Sequence, residues 1–509
     1  MTIKYLKRLN AMLERIKATG WLQERNFIDG AWEAADEQRT HGVDDPATGT
    51  PIGSIAWAGA AETRRAIAAA QAAFADWSMT TAAIRAGLLL KMAAIVRDNL
   101  DHLASLLTLE QGKPLAEARA EMKLGADYIQ WFAEEARRIN GEIIPSPWQG
   151  RQILVSREPV GVVAAISPWN FPFSMLARKI APALAAGCTV VAKPSELTPY
   201  CGLIWGVLAE KAGLPAGVIN IVTGDAAAIG GELVADARVR KLTFTGSTRV
   251  GKLLYQQSAA TMKKLSLELG GNAPFIVFDD ADIEQAVEGA VAAKFRNSGQ
   301  TCICANRFYV QEGLYDEFAR RLAERVATLK VGNGFDADVQ QGPLINAAAV
   351  DKVQAHVADA RAKGGRVLAG GQRHALGGTF YEPTVIAEAT SDMLIAHEET
   401  FGPVAALFRF SHEQQAIDAA NAEPFGLAAY FYSRDLARAF RVSRALHSGM
   451  VGINEGLVTT EVAPFGGVKD SGIGREGSTH GIEEYLSLKY MSLGGLQATA
   501  SNPVDHPIP

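Results

Sequence analysis

The stretch Asn297-Ser298-Gly299-Gln300-Thr301-Cys302-Ile303-Cys304-Ala305-Asn306-Arg307 carries two of the chain's four cysteines. Small polar residues surround Cys302, and a helix-like run, Ile283 to Phe295, precedes it. A thiol in such surroundings is placed to act as a nucleophile, because the thiolate is the reactive form and polar, partly exposed sites favour it. Most free cysteines are instead small buried hydrophobes, so the chemistry of Cys302 depends on its company elsewhere. Glu268, in Glu268-Leu269-Gly270-Gly271-Asn272, is a carboxylate beside paired glycines that let backbones approach closely. It is a candidate general base, set against the common fate of glutamate as solvated surface. Asn170, in Pro168-Trp169-Asn170-Phe171-Pro172, sits in a loop stiffened by two prolines and two aromatics. There it would present an amide N–H in a fixed direction, as an oxyanion donor must, unless the loop is merely well packed.

Two further motifs could hold a nucleotide. Phe244-Thr245-Gly246-Ser247-Thr248-Arg249-Val250-Gly251 leaves a strand and opens a helix. Gly246 permits a tight turn, and Ser247 or Thr248 can cap a helix whose free N–H groups attract an anion. Lys193-Pro194-Ser195-Glu196 follows a buried strand, where a lysine and a glutamate can hold ribose hydroxyls. A carboxylate suits a free 2′-hydroxyl and repels a 2′-phosphate; an ordinary solvated turn is the other reading. Gly472-Ile473-Gly474-Arg475-Glu476-Gly477 matches the spacing of the dinucleotide fingerprint. No buried strand precedes it, so it reads as a closing loop.

The elements that must position these residues alternate in kind. Ala61 to about Phe132 is helical, broken at Gly112-Lys113-Pro114. From Val160 onward, apolar strands (Val160 to Ile166, Thr189 to Ala192, Val218 to Val222, Lys241 to Phe244) alternate with helices (Phe173 to Ala186, Pro199 to Ala212, Ala226 to Ala235). This is the pattern of an open parallel sheet, which binds ligands beyond the carboxyl ends of its strands. A second α/β section starts at the strand Phe275 to Phe278. Met1 to Lys17 is basic and periodic and reads as a surface helix, and the tail from Gly494 reads as loop.

At 509 residues the chain is too long for one core. Hydrophobic residues make 48%, charged residues 21%, and the net charge is -5. This balance invites neither nucleic acid nor an anionic membrane as partner. Apolar stretches such as Val160 to Ile166 are too short to span a bilayer. Four cysteines with no C-x-x-C pair suggest a reducing, cytoplasmic setting and no metal site.

Together, Pro168 to Pro172, Phe244 to Gly251, Glu268 to Asn272, Gly299 to Cys302 and Glu399-Thr400-Phe401-Gly402-Pro403 resemble the NAD(P)-dependent aldehyde dehydrogenase superfamily. Gly299 to Arg307, Ala428-Ala429-Tyr430-Phe431-Tyr432 and Ala463 to Lys469 are most similar to its succinate-semialdehyde dehydrogenase branch. The resemblance implies an aldehyde dehydrogenase-like α/β fold: two open parallel-sheet domains plus a small β oligomerisation element. Residues 1–24 would be an N-terminal extension helix, 25–144 and 158–269 the cofactor-binding domain, and 270–483 the catalytic domain. Residues 145–157 and 484–497 would form the oligomerisation element, 498–509 a tail, and the assembly a homodimer or homotetramer. Cys302 would attack the aldehyde, Asn170 and the Cys302 N–H would hold the oxyanion, and Glu268 would activate water. NAD, or NADP, would lie against Ile166, Trp169, Lys193, Ser195, Glu196, Gly246, Ser247, Leu269, Glu399 and Phe401. In some relatives a second cysteine at the spacing of Cys304 closes a disulfide with the nucleophile.

The branch also implies the substrate class. An ω-carboxylated aldehyde needs a fixed cation for its far carboxylate. The branch's two arginines and hydroxyl map to Arg178, Arg296 and Thr459, with threonine where serine is frequent, and Phe465 is an apolar wall. Succinate semialdehyde is the expected substrate, and glutarate semialdehyde, one methylene longer, is its nearest rival. Other small aldehydes, a CoA-acylating enzyme and a non-catalytic protein are the remaining alternatives. Arg178 and Arg296 argue against the first, Glu268 against the second, and the joint presence of Cys302, Glu268 and Asn170 against the third.

Overall fold

The computed structural model describes residues 13–496. Its first sheet has eight strands in the order Gly472–Ile473, Lys264–Glu268, Val239–Thr245, Val162–Ile166, Thr189–Lys193, Ile219–Ile221, Asn26–Ile28 and Ala31–Glu33. The strands from Lys264–Glu268 through Ile219–Ile221 are parallel. On one side Asn26–Ile28, the inner strand of a hairpin, and on the other the two-residue strand Gly472–Ile473 run antiparallel to them. Every residue of Val162–Ile166 and Thr189–Lys193 is buried, as befits strands covered by helices on both faces.

Register brings the candidate residues to one edge. Ile166 pairs with Lys193 and with Phe244, and Thr245 pairs with Glu268. These are the carboxyl ends of four neighbouring parallel strands, where open sheets bind ligands. A second sheet of seven strands has Ala305–Gln311 at its middle, between Ala273–Val277 and Val404–Phe410. Cys302 lies just before that strand. Between the helix Ile283–Phe295 and Cys302, the backbone passes through three left-handed residues, Asn297, Ser298 and Gly299. A Cβ on Gly299 would stand 2.1 Å from the Gly402 carbonyl oxygen, so the turn packs tightly on the Glu399 loop.

The helix Pro172–Ala186 opens on proline and ends at left-handed Gly187, and all its residues are buried. Two of them, Arg178 and Lys179, are cations, which demands a buried anion nearby.

A third sheet pairs Leu486–Leu493 with Gln152–Pro159 and Gln152–Pro159 with Glu142–Ile144, all antiparallel. This sheet thus joins strands from the segments 145–157 and 484–497, which the sequence reading grouped together, with Glu142–Ile144, which it grouped with 25–144. The exposed Ile143 and Ile144 of that strand show no strand-like alternation of burial to mark it. The N-terminal helix is described only over 13–18, where Ile16 packs into the core; the rest of that expected helix, and the tail beyond 496, lie outside the described residues. Among the described residues no single helix is long and apolar enough to cross a membrane.

Candidate active site

Cys302 is partly exposed and opens into a cavity of about 250 Å³. Glu117, Phe171, Arg178, Arg296, Thr459 and Phe465 are among its walls. All four expected substrate residues are thus brought together with the thiol. Burial pushes the Cys302 thiol up to about 12, with the Arg178 charge pulling the other way. A larger cavity, about 930 Å³, is lined by Asp45, Glu110, Glu196 and Phe380 among others, and does not reach Cys302.

Asn170 is buried, and its Nδ2 donates to the Gln300 carbonyl at 2.9 Å, two residues from the nucleophile. An amide nitrogen has two hydrogens, so one remains for a ligand. Its Oδ1 has no partner among the described residues. Glu268 is 2% exposed, and neither carboxylate oxygen has a hydrogen-bond partner among the described residues. Burial, reinforced by the Glu476 charge, holds its pKa well above the usual carboxylate range. Glu268 therefore holds a proton more tightly than an exposed glutamate, and its place is shaped by Gly466, where a Cβ would come 3.0 Å from Oε1.

The anion that the cations of the helix require is Glu476. Arg178 Nε lies 2.9 Å from Glu476 Oε2, a charge contact too bent for a hydrogen bond, and Lys179 Nζ donates to Oε1. Burial disfavours the Arg178 charge, but Glu476 and Tyr128 more than restore it. The guanidinium also sits 4.1 Å from the centre of the Phe465 ring. Of these three groups Arg178 is the one that lines the cavity, while burial lowers the pKa of Lys179 behind it. Arg296 stacks near Phe171, 5.3 Å from the ring centre, and forms no ion pair among the described residues. Glu476 and Lys179 were not singled out by sequence. Glu476 belongs to the glycine-rich loop set aside as a closing loop, and adjacent cations in an apolar helix were the available signal. In that loop Gly472 pairs with Glu268, and a Cβ there would meet the Leu267 carbonyl at 1.9 Å.

Cys304 is buried, and its thiol donates to the Lys294 carbonyl at 3.4 Å. Burial raises its pKa, opposed by Lys294.

Most of the expected cofactor residues lie at one edge of the first sheet, while Glu399 and Phe401 come from the loop before Val404–Phe410 of the second. Lys193 and Glu196 are ion-paired at 2.7 Å; burial opposes the Glu196 charge, but Lys193 holds its pKa below the usual value. Ser195 Oγ accepts from the Leu197 N–H. Ser247 caps the helix Thr248–Ser258 through the Val250 N–H. Gly246 N–H donates to the Glu268 carbonyl, and a Cβ there would strike the Phe244 ring at 2.4 Å. Leu269 is buried and its N–H donates to the Ser471 carbonyl. Trp169 and Phe401 meet edge to face, 5.5 Å between centres. Glu399 accepts from the Gly271 N–H at 3.3 Å, and burial pushes it up to about 7. A Cβ on Gly270 would stand 3.2 Å from both Glu399 Oε2 and Thr248 Oγ1. Ser167, the residue after Ile166, is buried with an unpartnered hydroxyl. A glycine cradle, an orphaned hydroxyl, a capped helix start and a carboxylate at a strand end fit a dinucleotide. Among the described residues no group of three or more His, Cys, Asp or Glu could hold a metal ion.

Comparison with known proteins agrees with this geometry. The chain is 56% identical over 485 residues to the 3-sulfolactaldehyde dehydrogenase of Pseudomonas putida, covering 95% of this chain and 100% of that protein. It is 54% identical over 482 residues to the glutarate-semialdehyde dehydrogenase of Pseudomonas aeruginosa, covering 95% and 100%. The crystal structure of succinate-semialdehyde dehydrogenase from Burkholderia pseudomallei superposes with a TM-score of 0.93 at 56% identity, covering 93% of this chain and 98% of that one. The aldehyde dehydrogenase family model matches residues 32–491, and this chain belongs to that family.

Proposed function

We propose that the protein oxidises succinate semialdehyde to succinate with NAD(P). The observation that carries this reading is a thiol, Cys302, sharing a cavity of about 250 Å³ with Arg178 and Arg296. The far carboxylate of the substrate pairs with the two guanidiniums, and Thr459 adds a hydroxyl. The aldehyde carbon then lies at Cys302, which adds through Sγ to give a thiohemiacetal. The oxyanion takes the free N–H of Asn170 Nδ2 and the Cys302 backbone N–H. When bound, the nicotinamide accepts the hydride of the aldehyde carbon. Loss of that hydride leaves Cys302 acylated as a thioester. Glu268 takes a proton from water, the hydroxide adds to the thioester carbon, and the carboxylate departs as Cys302 is released. Glu268 suits this late role, since burial keeps it a stronger base than an exposed carboxylate.

Glu196 favours NAD by repelling a 2′-phosphate, although its pairing with Lys193 tempers the repulsion. The strands Leu486–Leu493 and Glu142–Ile144, on opposite sides of Gln152–Pro159, expose Leu488 and Tyr490 on one edge and Ile143 on the other, and such apolar edges suit pairing with a second copy. A homo-oligomer in the cytoplasm, where four free thiols stay reduced, completes the reading.

The test is nucleotide reduction, followed by absorbance, with succinate semialdehyde, glutarate semialdehyde and propanal, each with NAD and NADP. A strong preference for succinate semialdehyde supports the assignment. Glutarate semialdehyde turned over faster would move it by one methylene, a difference worth about 1–3 kcal/mol. Equal use of propanal would remove the carboxylate site.

A further inference from the structure

The turn Gly112-Lys113-Pro114 joins the helices Leu100–Gln111 and Leu115–Glu135, and it sends Lys113 inward. The ammonium is fully buried. It donates at 2.7 Å to Glu121 Oε2 and at 2.7 Å to the main-chain carbonyl of Asn170. It also stands 3.9 Å above the centre of the Phe171 ring. A buried lysine with one carboxylate, one carbonyl and one aromatic face spends its three donor directions on that corner alone.

The Asn170 carbonyl accepts a second bond, from Asn297 Nδ2 at 3.0 Å. Both its lone pairs are then used, and the peptide that carries the Asn170 side chain cannot turn. Asn297 Nδ2 also reaches the Gln300 carbonyl at 3.3 Å, the same oxygen that receives Asn170 Nδ2. Gln111 closes the ring: its Nε2 donates to Asn297 Oδ1, and its Oε1 accepts from the Lys113 N–H. One buried polar ring thus ties the oxyanion loop to the turn that carries Cys302. The other oxygen of Glu121 accepts the N–H groups of Phe173 and Ser174, capping the helix that bears Arg178.

We propose that Lys113 is a positioning residue, which acts through Asn170 by pinning its peptide so that the side-chain amide faces the thiol. This rests on the reading of Asn170 as an oxyanion donor. A lysine serves better than a neutral donor because it also neutralises Glu121, whose carboxylate would otherwise be buried unpaired.

The experiment is a double-mutant cycle of Lys113→Met and Asn170→Ala, read as the first-turnover rate of reduced-nucleotide formation. Asn170→Ala is expected to slow it by about 10²–10³-fold, the usual loss for one oxyanion donor. Lys113→Met is expected to slow it by about 10–100-fold, with the aldehyde KM and the Cys302 alkylation rate by iodoacetamide changed less than about threefold, because alkylation forms no oxyanion. The double variant should be no slower than Asn170→Ala alone, within about threefold, because both changes remove one function. If the two losses multiply, or if alkylation and KM collapse together with the rate, Lys113 has only a general structural part. If Asn170→Ala slows the enzyme but Lys113→Met does not, Lys113 positions nothing while the oxyanion reading stands. If Asn170→Ala matches wild type, the oxyanion reading itself fails. Should Lys113→Met not fold, the cycle is run in Glu121→Gln, where no unpaired carboxylate remains, with the same expected non-additivity.

Discussion

Replacing Arg178 by methionine keeps the bulk of the side chain and removes its charge. Arg178 is buried, 2.9 Å from Glu476 and 4.1 Å from the Phe465 ring centre, on the wall of the cavity that Cys302 enters. Lys179 remains to neutralise Glu476, so the variant leaves no buried carboxylate alone. What disappears is the cavity-lining cation proposed to meet the substrate's far carboxylate. Truncating one side of a buried charge pair costs about 2–5 kcal/mol, which at about 1.4 kcal/mol per decade is roughly 30- to 5,000-fold in kcat/KM for succinate semialdehyde. Propanal has no carboxylate, and its kcat/KM should fall only by the factor by which the same variant slows Cys302 alkylation. The assay is initial-rate nucleotide reduction over both aldehydes, compared as a ratio. If the two substrates lose equally, Arg178 supports the fold of the site and not the recognition of an anion.

Other expectations follow from the same geometry. With the Cys302 thiol pushed up to about 12, alkylation by iodoacetamide in the absence of nucleotide should rise about tenfold per pH unit from about pH 7 to about pH 9. Arg178→Met should slow it further at each pH, since removing the cation raises that pKa; an unchanged rate would show that Arg178 does not reach the sulfur. Glu196→Gln should raise the ratio of NADP to NAD kcat/KM by about tenfold, one decade for about 1.4 kcal/mol of lost repulsion; a fixed ratio would remove Glu196 from the ribose site. A Cys302–Cys304 bridge predicts that peroxide inactivation is reversed by a thiol reductant in wild type and not in Cys304→Ala. Equal reversal would leave a sulfenic acid on Cys302 as the lesion. Glu110 is buried, accepts the Tyr200 and Cys201 N–H groups, and is raised by burial from the ordinary glutamate value of 4.5 to about 8. Its folded pKa exceeds its unfolded one, so the stability linked to its proton is present below about pH 4.5 and is lost as pH rises through about 8. The Tm of wild type relative to Glu110→Gln should therefore fall across that window, and a constant difference would mean that Glu110 is ionised when folded.

Of the proposed site residues, Cys302, Glu268 and Asn170 sit in short local motifs that the sequence showed, whereas Arg178 and Arg296 came only through the family resemblance. The alternation of apolar strands with helices placed four of the first sheet's parallel strands to within about two residues. The strand Lys264–Glu268 was not read, because Lys264 is exposed and Leu265 only half-buried before the buried Ser266, which blurs the apolar run of its neighbours. Glu476 was passed over because its partners, Arg178 and Lys179, lie some 300 residues earlier in the chain, and no local pattern records such a pairing. Lys113 looked like punctuation between a glycine and a proline. That a buried anion and a buried carbonyl wait for it is a fact of packing, not of spacing. Glu142–Ile144 was missed for a similar reason: its one partner among the described residues is the strand Gln152–Pro159, and its exposed isoleucines give no inward face.

The direct test of the mechanism is to trap acylated Cys302. Glu268→Gln keeps the shape of the side chain and removes the base, so acylation should proceed while hydrolysis stalls. Mixed with succinate semialdehyde and NAD, the variant should release close to one reduced nucleotide per active site and then stop. Mass spectrometry should find one succinyl group on the peptide containing Cys302. A burst with no adduct on that peptide, an adduct elsewhere, or steady turnover at the wild-type rate would contradict the assignment of Cys302 and Glu268.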